Sequence, residues 1–399
     1  MNAAGTVEIK ARRAKPLWCG HPLVYSGAVA RVEGVPRAGE MVRVCDYEGK
    51  EIGTGVYNPH SDYRVRMLVW RVEGAEDEDV RGVVARRLRA AREMRAGLGL
   101  PSERTSVYRL LNSEGDRCSG LTVDCFHAAE NVERCVVAVS SSAWWTEQYR
   151  AEICGAIEEV VWPEQICWRQ SRAALAQDGW KEFREEAGRA PRVMVSEHGL
   201  RYVTEPGMGQ KTGFYCDQRE NRQLVRGLAR GRRVLDAYCY TGGFALNAAA
   251  GGAASVVGVD SSERALALAR ENAALNGFEQ VRFERGDARA VLARGGEYDM
   301  IILDPPKLAA TRHEVEKAVR AYRGLCADAA RRLGRHGVLV VSSCSAAIGA
   351  EELRQALREG GVEAGRQIAV LAETHAGPDH PVLAAFPEGQ YLTCLVCVV

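Results

Sequence analysis

RRVLDAYCYTGGFAL at residues 232–246 and VLVVSSCS at 338–345 frame the stretch whose reading decides the fold. In the first, a hydrophobic run closes on Asp236, a turn carries Gly242 and Gly243, and an Ala-rich helical run follows. Strand, tight turn and helix in that order form the opening unit of a doubly wound, nucleotide-binding sheet. A second strand, Val256 to Val259, ends on Asp260 beside the end of the first, where an acid can accept hydrogen bonds from a ribose. Asp287 follows VRFERG and Asp304 follows YDMIIL, so four successive strands lead into an acid.

Acids in that arrangement suit a cofactor with a ribose, an adenine amine and an ammonium group, and they repel a pyrophosphate. The pattern therefore favours S-adenosylmethionine (SAM) over a nicotinamide dinucleotide, which wants a full GxGxxG turn and an uncrowded helix N-terminus. Tyr238 and Tyr240 stand at two positions where small residues would be expected for a dinucleotide. One acid at a strand end is commonly only a helix cap, whereas four in order carry more weight.

Four motifs extend this reading: GQKTGFYCDQRENR at 209–222, the LDAYCYTGGF turn at 235–244, DPPK at 304–307 and SSCS at 342–345. Together they resemble the RlmI-type large-subunit rRNA cytosine methyltransferases, class I SAM-dependent enzymes with an N-terminal PUA domain. The resemblance covers nearly the whole chain. The 209–222 segment and the YTGGF turn are its specific parts, since DPP alone is shared by many methyltransferases.

At 399 residues the chain exceeds one ordinary domain. Lys plus Arg is 53 against 52 for Asp plus Glu, a net charge of +1, so any RNA-binding surface must be a local patch. Only seven of those basic residues are Lys, and Ala, Gly and Val are abundant, a composition that a GC-rich genome produces as readily as selection for phosphate-binding guanidinium groups. The thirteen Cys show no zinc-like pairing. Their one CxxC, Cys394 to Cys397, lies in a hydrophobic run read as a strand, where residues three apart point to opposite faces, so no metal site is expected. No secretory segment occupies the first thirty residues, which places the expected thiols, reduced, in a cytoplasm or an equivalent organelle compartment. No apolar run approaches the roughly 18 residues that span a bilayer, so no membrane partner is expected.

The expected architecture is α/β: a Rossmann-like class I SAM methyltransferase domain at 193–399, preceded by a small PUA-like β-barrel at 1–75 and a central α+β domain at 76–192. Short alternating strands broken by turn residues fill 7–72. There PLWCGHPLVYSG at 16–27 and GTGVYNP at 53–59 resemble the PUA module, a fold that docks on structured RNA. A charged stretch, EGAEDED at 73–79, leads into an Arg- and Ala-rich helix from about Val80 to Ala96. The segment NSEGDRCSGLTVD at 112–124 resembles the family's central domain, with Cys118 and Ser119 departing from the expected apolar residue and Pro. VMVSEHGLRYVTE at 193–205 alternates on both sides of a His-Gly turn and reads as a hairpin, which makes His198 a turn residue and not a base. Long helical runs are expected at 262–275, 313–334 and 350–359, and a final strand in YLTCLVCVV. Strand and helix alternating in this way predict a mostly parallel sheet covered on both faces.

Cytosine carbon 5 is a poor nucleophile, so an enzyme methylating it needs a thiolate to add to carbon 6 and a base to remove the carbon 5 proton. Such a Cys must sit near the methyl donor and be partly ionised at neutral pH. Cys344 meets the positional demand at the carboxyl end of a strand next to that of Asp304. Cys239, between two tyrosines of the turn, and Cys326, in mid-helix, do not. A small buried apolar Cys is the competing reading. In the cytosine reading, Asp304 hydrogen-bonds the base near ring nitrogen 3 and supplies or shares the proton that stabilises the adduct.

By the resemblance, Gln210, Lys211, Thr212, Phe214, Asp217, Gln218, Arg219, Asn221 and Arg222 close over SAM and the target nucleotide. The expected SAM-binding set is Phe214, Arg219, Asp236, Tyr240, Gly242, Gly243, Asp260, Asp287 and Asp304, with Asp260 on the ribose and Asp287 near the adenine amine. Amine methyltransferases follow their DPP or NPP with an aromatic that stacks on the flipped base, but here Lys307 and Leu308 follow, which disfavours amine methylation. The Leu also departs from the RlmI type, where Phe often follows the Lys, so base stacking would be weaker or come from elsewhere. The expected partner is large-subunit rRNA, and a homodimer is kept open. Methylation of uracil or guanine on the same scaffold, or a non-catalytic RNA-binding assembly factor with a vestigial SAM fold, are the alternatives.

Overall fold

The computed structural model describes residues 3–74, 78–184, 191–209, 211–309 and 312–399. They gather into two compact units. The first comprises residues 1–195, 205–215 and 378–389, and the second 196–204, 216–377 and 390–399.

The first unit opens with six strands: β1 (Gly5–Ile9), β2 (Leu23–Tyr25), β3 (Val29–Gly34), β4 (Met41–Cys45), β5 (Glu51–Tyr57) and β6 (Tyr63–Trp70). Alternation places Val7, Ile9, Val42 and Val44 in a common core while Arg43 faces solvent. The ladder runs β2-β6-β5-β4-β1-β3. A second sheet of four strands follows, β7 (Val107–Asn112), β8 (Leu121–Ala128), β9 (Asn131–Ser141) and β10 (Gln165–Gln170), in the order β10-β9-β8-β7. Against it lie the helices Val80–Gly97 and Arg150–Val161. The first of these is capped by Asp79, whose carboxylate accepts from the Gly82 amide at 2.7 Å. It buries Val80, Val83, Val84, Leu88 and Ala91 at helical spacing.

The same hydrophobic cluster includes Met41, Val56, Leu68 and Val69, so the first sheet shares a core with the Val80–Gly97 helix. Two segments distant in sequence are held by buried charge. Arg109 pairs with Asp124 at 2.5 Å, Thr212 donates to Asp124, and Asp379 accepts from the Arg109 amide at 3.0 Å. The carbonyl of Asp379 accepts from Arg95 at 2.7 Å.

The chain passes between units through the hairpin of β11 (Val193–Glu197) and β12 (Leu200–Thr204), with His198 in its turn at φ 47°. The second unit holds β13 (Arg233–Asp236), β14 (Ser255–Asp260), β15 (Val281–Arg285), β16 (Tyr298–Leu303), β17 (Leu333–Ser343), β18 (Ala369–Thr374) and β19 (Thr393–Val398). Their order is β15-β14-β13-β16-β17-β19-β18. Strands β13 to β17 pair in parallel, and β19 runs antiparallel to both β17 and β18. Each central strand is an unbroken apolar run because both faces are buried: Leu235, Ile301 and Leu339 face one core, Val234, Ile302 and Val340 the other. Cys394 and Cys397 likewise fall in opposite cores, as their spacing requires. The helical runs expected at 262–275, 313–334 and 350–359 are observed at Glu263–Leu275, Val315–Arg332 and Ala350–Ala364. The chain order reverses between β13 and β16, and in open sheets of this kind ligands bind outside the carboxyl ends at such a switch point.

Candidate functional site

Every acid read from the sequence lies at the carboxyl edge of this second sheet. Asp236 closes β13 and accepts from the Ala245 amide at 3.0 Å, which fixes the start of the Gly243–Ala250 helix. Its other oxygen, Oδ1, is buried without a hydrogen-bond partner. Burial, then the charges of Asp304 and Asp260, push its pKa up to about 8. Asp260 closes β14 and accepts from the amides of Tyr240 at 3.0 Å and Ser262 at 2.8 Å. The carboxylate thus holds the turn in place, with Tyr240 in the left-handed region at φ 46°.

Gly242 follows at φ 88°, and a Cβ there would come within 2.4 Å of Leu246 Cδ1 and 3.1 Å of Phe283 Cζ. Gly243 is nearly as confined, with Arg222 Cδ at 3.1 Å from the same virtual atom. Asp287 is exposed just beyond β15 and caps the Ala288–Arg294 helix, accepting from the Ala290 amide at 3.0 Å. It is a helix cap and a strand-end acid at once.

Asp304 follows β16 directly and accepts from Gln218 Nε2 at 3.1 Å, while Gln218 Oε1 accepts from Asn221 Nδ2 at 2.6 Å. The Gln218 turn is held in place by Asp217, whose carbonyl accepts from the Gly377 amide at 3.1 Å and whose carboxylate accepts from the Tyr391 hydroxyl at 2.8 Å. Arg219, buried at the start of the Arg219–Leu228 helix, donates from Nε to Glu220 at 3.1 Å. After Asp304, Pro305 is buried, Pro306 and Lys307 are exposed, and Leu308 packs against the hydrophobic core.

Cys344 follows β17 and is half-buried between Ser343 and Ser345. Leu303 pairs with Val341, so Asp304 and Cys344 leave adjacent parallel strands at the same edge. Ser345 Oγ donates to the Ala309 carbonyl at 2.6 Å, tying the Cys344 turn to the segment after DPPK. Tyr322, from the Val315–Arg332 helix, donates to the Ser342 carbonyl at 3.1 Å. Burial holds its phenol above the usual range, and the charges of Cys344 and Asp304 both add to this, so the two groups share one neighbourhood. The other candidate thiols are suppressed. Cys239 is raised by burial and then by Asp236 and Asp260, and Cys326 by burial in mid-helix.

The second unit therefore brings together Asp236, Tyr240, Gly242, Gly243, Asp260, Asp304 and Cys344 at one sheet edge, with Asp287 on the neighbouring strand. Phe214 is a buried residue of the first unit, in its 205–215 segment, and Gln210 lies outside the described residues. No sequence motif points to the Gln218–Asp304 bond, nor to any part for Tyr322 and Tyr391. Gln218 was visible as one of a polar cluster, but Tyr322 lies in no motif.

These features fit SAM. The buried Asp236 carboxyl, with one oxygen unpartnered and its pKa raised by burial and then by the charges of Asp304 and Asp260, makes the edge receptive to a cationic ligand. Residues 188–381 match the profile of the S-adenosylmethionine-dependent methyltransferase family, and residues 7–70 that of a PUA-like domain. Fold and site thus define a SAM-dependent methyltransferase with an N-terminal PUA-like domain. The chain is 34% identical over 397 residues to Ribosomal RNA large subunit methyltransferase I of Erwinia tasmaniensis and 33% identical to that of Escherichia coli O139:H28, with 97% of each chain covered. It belongs to the ribosomal RNA large subunit methyltransferase I family. Among solved structures, a candidate SAM-dependent methyltransferase from Streptococcus mutans has the same fold, with a TM-score of 0.79 at 21% identity, covering 99% of this chain and all of the other. A candidate methyltransferase complexed with SAH gives a TM-score of 0.80, also at 21% identity and 99% coverage of this chain. Among the described residues no helix is long and apolar enough to cross a membrane.

Proposed function

We propose that this chain methylates carbon 5 of a cytosine in large-subunit ribosomal RNA, with Cys344 as the nucleophile. The observation that carries the reading is the exit of Cys344 and Asp304 from adjacent strands at one edge, beside the acids suited to SAM. The family relationship supports ribosomal RNA as the substrate. Bound at that edge, SAM supplies an electrophilic methyl group. Cys344 Sγ adds to carbon 6 of the base, and the carbon 5–carbon 6 double-bond electrons become available at carbon 5. Asp304, oriented by Gln218, hydrogen-bonds the ring at nitrogen 3 and shares the proton that stabilises the adduct. Once carbon 5 carries its methyl group, a base removes the carbon 5 proton, the double bond re-forms and Sγ leaves as the thiolate.

Cys344→Ala should abolish methyl transfer while SAM and RNA binding persist, because the thiol acts in covalent catalysis and little else. RNA carrying 5-fluorocytosine should trap a covalent complex with the native protein, since fluorine cannot leave as a proton does. A Cys344→Ala enzyme that still forms the adduct, or still makes 5-methylcytosine, would rule the mechanism out. Trapping by 5-fluorouracil RNA alone would redirect it to uracil.

A further inference from the structure

Three side chains on the second sheet of the first unit form a cluster that methyl transfer does not use. Cys125 and His127 are two apart on β8 and so share a face, and Cys135 on β9 stands directly opposite His127. Their two sulfurs and a ring nitrogen of His127 all lie within 4.8 Å of one another. Both cysteines belong to the hydrophobic cluster beneath the Val80–Gly97 helix. Tyr108, the cross-strand neighbour of Cys125, stacks on the His127 ring at 5.9 Å and 6°.

His127 is set up as a ligand. Nδ1 meets the Val132 carbonyl at 2.6 Å, which makes it the protonated nitrogen and leaves the Nε2 lone pair for a metal. Nε2 is buried and makes no hydrogen bond, a costly arrangement for a bare imine nitrogen.

We propose that Cys125, His127 and Cys135 bind a zinc ion that clamps the β8–β9 hairpin of the first unit. Two thiolates, a neutral imidazole and a divalent cation sum to zero charge, the one balance an apolar core tolerates without a counter-ion. A soft sulfur and nitrogen donor set selects zinc over magnesium or calcium. Zinc–sulfur bonds of about 2.3 Å and zinc–nitrogen bonds of about 2.0 Å put tetrahedral ligand atoms roughly 3.3 to 3.8 Å apart, so the observed spread closes by shifts of about an ångström. The Tyr108 phenol lies beside both thiols. The pattern escapes sequence inspection because a Cys-x-His pair on one strand and a Cys across the hairpin match no finger spacing.

Full-length protein purified without a polyhistidine tag should retain about one zinc per chain by mass spectrometry after dialysis. Cobalt titration should give the near-ultraviolet thiolate-to-cobalt band, and Cys135→Ser should lose both the metal and the band. Stripping with a strong chelator should lower the melting temperature of the native protein and leave that of the variant unchanged. Should Cys135→Ser fail to fold, His127→Gln takes its place as the control, with the band in the native protein still required. No thiolate–cobalt band, zinc far below stoichiometry, or equal metal content in native and variant protein would overturn the site and leave the three residues as a reduced core cluster.

Discussion

Asp236 shows most directly how a single carboxyl records its surroundings. Its ordinary pKa is about 3.9, whereas burial beside Asp304 and Asp260 pushes it up to about 8. The folded state therefore holds this proton more tightly than the unfolded chain. The stabilisation is complete below about pH 4 and is lost as pH rises through about 8. SAM-free protein should lose stability across that window more steeply than an Asp236→Asn variant, as read from urea midpoints at several pH values. Parallel curves would remove Asp236 as the cause. Asp260 is legible for the same reason, since a Val-rich run that stops at an acid can be read without a structure. A charged hydrogen bond is worth roughly 1.5 to 3 kcal/mol, so Asp260→Ala should weaken SAM binding at least about tenfold by calorimetry. The Gln218–Asp304 bond could not be read this way, because it joins residues 86 apart through a turn whose path is set by Asp217, Gly377 and Tyr391.

At the scale of elements, the glycine turn after β13 carries the constraint. Gly242→Ala combines a positive φ with a Cβ driven into Leu246 and Phe283, so it should cost more than about 1 kcal/mol in stability and weaken SAM binding as well. An unaltered denaturation midpoint and SAM affinity would show that the turn relaxes freely. The central strands of the second sheet were legible because burial on both faces writes them as apolar runs, whereas the half-exposed edge strand β18 carries no such signal. The antiparallel placement of β19 between β17 and β18 was not, since a hydrophobic run carries no label for its neighbours.

For the whole molecule, the sequence marked a boundary at the acidic stretch near residue 75, but packing across it had no local signal. Met41, Val56, Leu68 and Val69 join the Val80–Gly97 helix in one core, so removing residues 1–75 would strip that helix of partners. The RNA-docking role proposed for the PUA-like domain is better tested on exposed charge, at Arg12, Arg13 and Lys15. Reversing these three should raise the Michaelis constant for RNA and leave SAM affinity intact. The logarithmic salt dependence of RNA binding should also flatten by about one for each phosphate no longer neutralised. An unchanged salt slope would move the docking surface elsewhere. Asp124→Ala would remove the buried ion pair of Arg109 and release Thr212, at a cost of about 3 to 5 kcal/mol. A loss of unfolding free energy in urea of less than a third of that would show that the network is not under load.

The position of β19 also sets a timetable. A ribosome delivers the chain from its N-terminus, and β17 and β18 are both made before the strand that lies between them. The first unit waits as well, because residues 378–389 belong to it. Until those late residues emerge, the strand leading to Cys344 is flanked only by β16, and a nascent chain is an incomplete sheet with an exposed edge. Methyl-transfer competence thus waits on β19 and is not acquired progressively. Nascent chains with β19 held inside the ribosomal exit tunnel and with β19 extruded from it should differ abruptly in their resistance to protease.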